Sequence, residues 1–313
     1  MENLAYLLKL TQAELKVVLY NYLKQKNMSP ISDDGFIYTE GDIPVLVVAH
    51  MDTVFDEPPK NLRYNRNEDK IYNLFDGLGG DDRCGIYAII QLLEKFRPYV
   101  LFTEDEEKGC IGATKAVEKL DKPNVKYIIE FDRRGKDDCV FYDCGNEKFM
   151  DYIESFGFKT NYGTCSDISI LGSAWDIASV NLSSGYYNEQ TEKEYVIFGE
   201  LQKTISRAKS MLKALKKAPY FDYQEIVYTP RPYSSLFAYD DMTDEEWILW
   251  FDRMFGSKTS STNTYKVSEE QKIPQEEVSS SGIKRLLLTK NNKLKKDKNG
   301  ENNGRNTFTK IFS

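Results

Sequence analysis

The sequence contains a single histidine, His50, in 313 residues. One imidazole cannot build a His-pair metal site or a relay between two histidines, so any catalysis in this chain must lean on carboxylates. Cysteine is sparse as well: five residues, an odd count without a CxxC pair, read as reduced thiols rather than a disulfide framework. Long apolar runs are missing. The opening stretch MENLAYLLKLTQAELK sets Glu2, Lys9, Glu14 and Lys16 among its apolar residues, so neither a signal peptide nor a membrane span is expected, and the expected location is cytoplasmic. Basic residues are outnumbered, 42 against 49 acidic for a formal charge of −7, which argues against strong nucleic-acid binding because phosphate contacts need a basic surface. With 19 glycines and 10 prolines the chain is not fibrous, and 41% hydrophobic residues suffice for one sizeable core.

The apolar residues that are present fall into alternating patterns. Leu4, Leu7, Leu8, Leu15, Val18, Leu19 and Leu23 lie close to helical spacing and predict one amphipathic helix over 3–25. Short apolar runs bounded by Gly and Pro predict strands at Phe36–Tyr38 and Val45–Ala49, the second apolar enough to be central. Further strands are expected at 99–102, 125–131, 139–142 and 178–182, and helices at 81–96, 111–120, 148–156 and 200–215. Strands separated by helices imply an α/β fold, a three-layer sandwich with a mixed, largely parallel central sheet, whose functional groups gather beyond the carboxyl ends of its strands. This domain is expected to span residues 1–222. Residues 223–256 form an expected extension with one helix, begun by Thr243-Asp244-Glu245-Glu246 and carrying Trp247, Trp250, Phe251 and Met254. From 257 to 313 Ser, Asn, Lys and Glu dominate, and a disordered tail is expected.

Four segments set acids, and the histidine, just past a predicted strand. In Val47–Val54 an extended backbone points His50 and Asp52 the same way, so a carboxylate can back an imidazole whose other nitrogen faces a metal. Gly77–Gly85 is a glycine-rich approach to Asp81-Asp82, Thr103–Gly109 contains Glu106-Glu107, and Glu130–Gly135 contains Asp132. Each alone could be a cap or a solvated turn. Their joint order is more specific.

That order resembles the co-catalytic zinc aminopeptidase and carboxypeptidase superfamily, the group of peptidase T-like and glutamyl-aminopeptidase-like enzymes. The resemblance covers residues 1–220 and rests on HMDTV at 50–54, GLGGDDRCG at 77–85, TEDEEKGCIGA at 103–113, EFDRRG at 130–135 and NLSSGYYNEQTEKEY at 181–195. It implies that His50 and Asp132 ligate a first metal, that Asp52 supports His50, and that Asp81 bridges two ions. Glu106 becomes the general base and Glu107 a ligand of the second metal. The gaps between motifs are too short for a lid or dimerisation domain. Gln190 stands where the superfamily has its closing histidine, and a glutamine carbonyl is a far weaker zinc ligand than imidazole. His50, Asp81 and Asp132 still make a three-ligand zinc site, so one or two Zn2+ ions are implied.

The expected activity is hydrolysis of short peptides or aminoacyl substrates, most simply as an aminopeptidase. A pseudo-peptidase acting as a binding module, and a related deacylase or carboxypeptidase, stay open, as does the oligomeric state. Arg133 and Arg134 could hold a substrate carboxylate or pair with nearby acids. Ser166-Asp167 matches a superfamily position near the cleft or caps a helix, and Cys84, Cys110 and Cys165 are expected to be buried packing.

Overall fold

A computed structural model describes residues 1–215 apart from Thr164. The expected extension over 223–256 and the expected tail over 257–313 lie outside the described residues. The opening segment forms two helices rather than the expected single one, α1 (Glu2–Leu7) and α2 (Gln12–Gln25). Thr11 makes the break. Its hydroxyl accepts the Glu14 backbone N–H at 3.3 Å, and the Glu14 carboxylate accepts the Thr11 N–H at 3.0 Å, a reciprocal cap that starts a new helix.

There follow β1 (Ile31–Asp33), β2 (Phe36–Thr39), β3 (Ile43–His50), β4 (Leu62–Asn65), β5 (Lys70–Asn73), α3 (Gly80–Leu93) and β6 (Pro98–Thr103). The chain continues through α4 (Ile111–Lys119), β7 (Ile128–Arg133), β8 (Asp138–Val140), α5 (Glu147–Glu154), β9 (Lys159–Thr160) and α6 (Asp167–Trp175). It ends with β10 (Ser179–Ser183), β11 (Tyr186–Tyr187), β12 (Tyr195–Ile197) and α7 (Phe198–Ala214). Eight strands form the main sheet in the order β1-β2-β6-β3-β7-β10-β8-β9. The central β6, β3, β7 and β10 run parallel, while β1, β2 and β8 join antiparallel.

Both faces of this sheet are buried. Val45, Val47 and Ala49 pack with Phe102, Ile129 and residues of α3 and α7, whereas Leu46, Val48, Leu101 and Ile128 pack with Ala113 and Ala116 of α4 and Ile168 and Leu171 of α6. Successive side chains on a strand point to opposite faces, so a strand covered on both sides reads as an unbroken apolar run. The architecture is the expected α/β sandwich of three layers around a mixed, largely parallel sheet. Among the described residues no helix is long and apolar enough to cross a membrane.

A second, antiparallel sheet, β11-β12-β5-β4, has no counterpart in the sequence reading. It carries the 188–194 turn between β11 and β12. In the main sheet His50 lies opposite Thr103, and Glu130 lies opposite Val48 on one side and Asn181 on the other. The carboxyl ends of β3, β6, β7 and β10 are thus brought side by side, and the loops beyond them share one end of the sheet.

Candidate metal centre

His50 ends β3 and is fully buried. Its Nδ1 lies 3.2 Å from Asp52 Oδ1, and its Nε2 lies 3.2 Å from Asp81 Oδ1 and 3.5 Å from Asp132 Oδ1. Ligand atoms about 2.0–2.2 Å from a tetrahedral ion stand roughly 3.3–3.6 Å apart, and the two distances from His50 Nε2 are close to that range, with all three ligand atoms of His50, Asp81 and Asp132 within 4.8 Å of one another. Asp52 sits where a carboxylate fixes the tautomer of a ligating imidazole. Asp81 enters from the start of α3 after Gly79, whose φ of +72° is left-handed backbone that suits glycine.

Asp132 is held on several sides. Tyr186 donates its hydroxyl to Oδ1 at 3.0 Å, and the Asp132 main chain exchanges two 2.8 Å hydrogen bonds with the Asn181 amide. Ser166 Oγ lies 2.9 Å from Asp132 Oδ2 and 2.5 Å from Glu130 Oε2. One hydroxyl has one proton to give, so Ser166 serves both acids only if one of them keeps its own proton, as Glu130 would. Burial favours that, pushing the Glu130 carboxyl well up, with the Asp132 charge adding to it.

Glu106 and Glu107 follow β6 in a turn that Asp52 also holds. The Glu106 N–H donates to Asp52 Oδ1 and the Glu107 N–H to Asp52 Oδ2, both at 3.1 Å. Burial pushes the Glu106 carboxyl up to about 8, against the pull of His50 and with the charges of Asp132, Asp167 and Glu107 adding to the rise. Its Oε1 accepts the Cys110 thiol at 3.7 Å, and the Cys110 and Cys165 sulfurs are 3.7 Å apart. Cys84 and Cys110 are buried as expected, but Cys165 is exposed, because it lies in the loop ahead of α6.

His50, Glu106 and Glu107 offer a second set of ligand atoms within 4.8 Å of one another, beside the His50, Asp81 and Asp132 set. Neither set contains both Asp81 and Glu107. Gln190 explains part of this: its Nε2 donates to Glu107 Oε2 at 2.7 Å, while Glu107 Oε1 is buried without a partner. The glutamine therefore lies against Glu107 and offers it a donor.

The buried acids strain one another electrostatically. Burial disfavours a charged His50, yet its hydrogen bonds to the carboxylates of Asp132, Asp52 and Asp81 outweigh it and push the imidazole pKa well above its ordinary range. Burial and the Asp132 charge push Asp81 well up. A divalent cation relieves this arrangement by taking the proton's place, and the orphaned Glu107 oxygen has the chemistry to accept one. Because the pKa values of His50 and Asp81 are raised and that of Glu106 stands at about 8, uptake of zinc at this cluster is expected to release protons, and affinity to fall as the pH falls. Calorimetry in buffers of different ionisation enthalpy measures the release; a buffer-independent heat of binding would contradict it.

Arg133 and Arg134 pair with acids, with Nη2 of Arg133 3.9 Å from Asp138 and Nη1 of Arg134 3.0 Å from Glu189. Ser166 precedes α6 but its side chain makes no cap hydrogen bond, being used at Asp132 instead. Asp167, read with Ser166 as either near the cleft or a helix cap, is fully buried, accepts the Thr103 hydroxyl, and has its other oxygen unpartnered; burial pushes its carboxyl up to about 7. A cavity of about 530 Å³ opens beside the cluster, lined in part by Asp52, Glu107, Gly79, Leu8, Phe55 and Pro58.

No protein-family model matches the sequence, and no curated protein matches it. Solved structures do. A tripeptidase from Staphylococcus aureus aligns with a TM-score of 0.57 at 14% identity, covering 69% of this chain and 97% of that one. An aminopeptidase from Bacillus cereus aligns at 0.53 and 16%, covering 68% and 97%. An aminopeptidase from the archaeon Desulfurococcus kamchatkensis aligns at 0.51 and 14%, covering 67% and 94%. Identities this low speak for the fold alone: the described domain has the fold found in these peptidases.

Proposed function

We propose that the chain is a zinc-dependent exopeptidase, an aminopeptidase acting on short peptides. The observation that carries this reading is the convergence of His50, Asp81 and Asp132 on one point, with Glu106 held nearby on the same Asp52 carboxylate. His50, Asp81 and Asp132 would hold the first ion, leaving a position open as a catalytic zinc site requires. Zinc bound there supplies polarisation of the scissile carbonyl and acidification of a water. Glu106 would take a proton from the attacking water as its oxygen adds to the carbonyl carbon, and would pass the proton to the amine nitrogen as the C–N bond breaks. Asp52 keeps Nδ1 of His50 protonated and Nε2 turned toward the acids, and the cavity lined by Leu8 and Phe55 receives substrate.

A second reading, a metal-binding module without turnover, is favoured by Gln190 alone. Bound zinc counted per chain, with turnover of aminoacyl anilides and of N-acyl amino acids, separates the readings. Hydrolysis of aminoacyl anilides supports the aminopeptidase, N-acyl preference a deacylase, and zinc without turnover the module. Gln190→His is expected to raise bound zinc from about one to about two ions per chain, since imidazole is much the better ligand. Unchanged stoichiometry in that variant would show that residue 190 does not complete a site.

A further inference from the structure

Glu194 is a carboxylate buried to 2% exposure, and it belongs to no ligand set. It sits at the end of the turn between β11 and β12 and reaches the loop that delivers Asp81. Its Oε2 accepts the backbone N–H of Gly79 at 2.7 Å and of Leu78 at 3.2 Å, and its Oε1 accepts that of Asp81 at 3.0 Å. The loop approaches so closely that a Cβ on Gly80 would stand 3.1 Å from Glu194 Oε1 and 2.9 Å from Val196 Cγ2.

Successive N–H groups turned toward one point form a concavity for an anion, and buried N–H groups left without an acceptor are costly. Here a side chain of the protein supplies the anion. None of the salt bridges among the described residues involves Glu194, so the backbone N–H groups are the partners seen to offset its burial. The loop cannot place its own N–H groups on a helix ladder, because Asp81 and Asp82 have non-helical backbone at the head of α3.

We propose that Glu194 is a positioning residue of the metal centre, fixing the backbone of residues 78–81 so that the Asp81 carboxylate meets His50 Nε2. The inference rests on the proposed zinc site. It also gives the β11–β12 turn two tasks, since Gln190 at its other end contacts Glu107.

Zinc affinity, measured by competition with a chromophoric chelator, is expected to weaken about 10–100-fold in Glu194→Gln, whose NH2 group would face backbone donors. Glu194→Asp, which keeps both acceptors, is expected to recover part of that loss, and the visible absorption of the Co2+-loaded Gln variant to shift. Leu4→Ala, buried far along the chain in the core, serves as a destabilised control whose affinity stays unchanged. Hydrogen exchange supplies a readout without metal: the amides of 78–81 are slow in the wild-type protein and fast in Glu194→Gln. Wild-type protein without zinc affinity would sink the proposed function. Equal protection of these amides in wild type and Glu194→Gln would sink the clamp, whether or not zinc binds, and so would a Gln variant binding zinc within about twofold of wild type.

Discussion

Glu106→Gln is expected to lower kcat on an aminoacyl anilide about a thousandfold, within the range that a positioned general base contributes, while zinc affinity stays within a few fold of wild type. The glutamine keeps the shape of the side chain and its backbone N–H to Asp52, so the turn is undisturbed. What it loses is the ability to hold a proton. Burial already sets the Glu106 carboxyl near 8 without metal, and a bound cation would draw it down toward the working pH of a base. Retained turnover would place the base elsewhere. A tenfold drop in zinc affinity would instead make Glu106 a ligand, as its grouping with His50 and Glu107 allows.

Asp52→Ala is expected to weaken zinc binding by about 10–100-fold and to leave turnover depressed even at saturating zinc. The two losses have separate origins. Without the carboxylate, Nδ1 of His50 has no acceptor to fix the ring, and the N–H groups of Glu106 and Glu107 lose the anchor that sets their turn. Burial raises the Asp52 carboxyl, but the hydrogen bond and charge of His50 and these two N–H groups bring it down to about 2. A lowered pKa means the anchor is present above the ordinary aspartate range and is lost only as the pH falls through about 2, so mild acid does not imitate the variant. Full activity of Asp52→Ala on added zinc would confine the residue to metal retention.

The central layer was legible because its strands are buried on both faces. Val45 to Ala49 and Val100 to Phe102 read as unbroken apolar runs, and the acids at their ends stand out against them. The β4–β5 hairpin was not, since Leu62 to Asn65 and Lys70 to Asn73 mix polar and apolar residues in pieces too short for a period. The break at Thr11 hid among apolar positions that fit one helix as well as two, although Thr11 and Glu14 carried the capping signal. His50, Asp81, Glu106, Glu107 and Asp132 were singled out through motif order, which survives without knowledge of distance, and the fold groups them in two candidate sets. Asp167 was legible only within Ser166-Asp167, with a helix cap as an equal reading, and Glu194 was not legible, because what sets both apart is burial. Glu194 looks like one more acid in a polar stretch until folding sets it against amides 113–116 positions earlier.

That separation orders events during synthesis. A nascent chain that has emerged only as far as β10 already contains His50, Asp81, Glu106, Glu107 and Asp132, yet it lacks the turn that seats the Asp81 loop. On the proposed metal site, tight capture of an ion is expected to await the last strand of the small sheet, and a chain stalled short of residue 194 is expected to be a weak chelator.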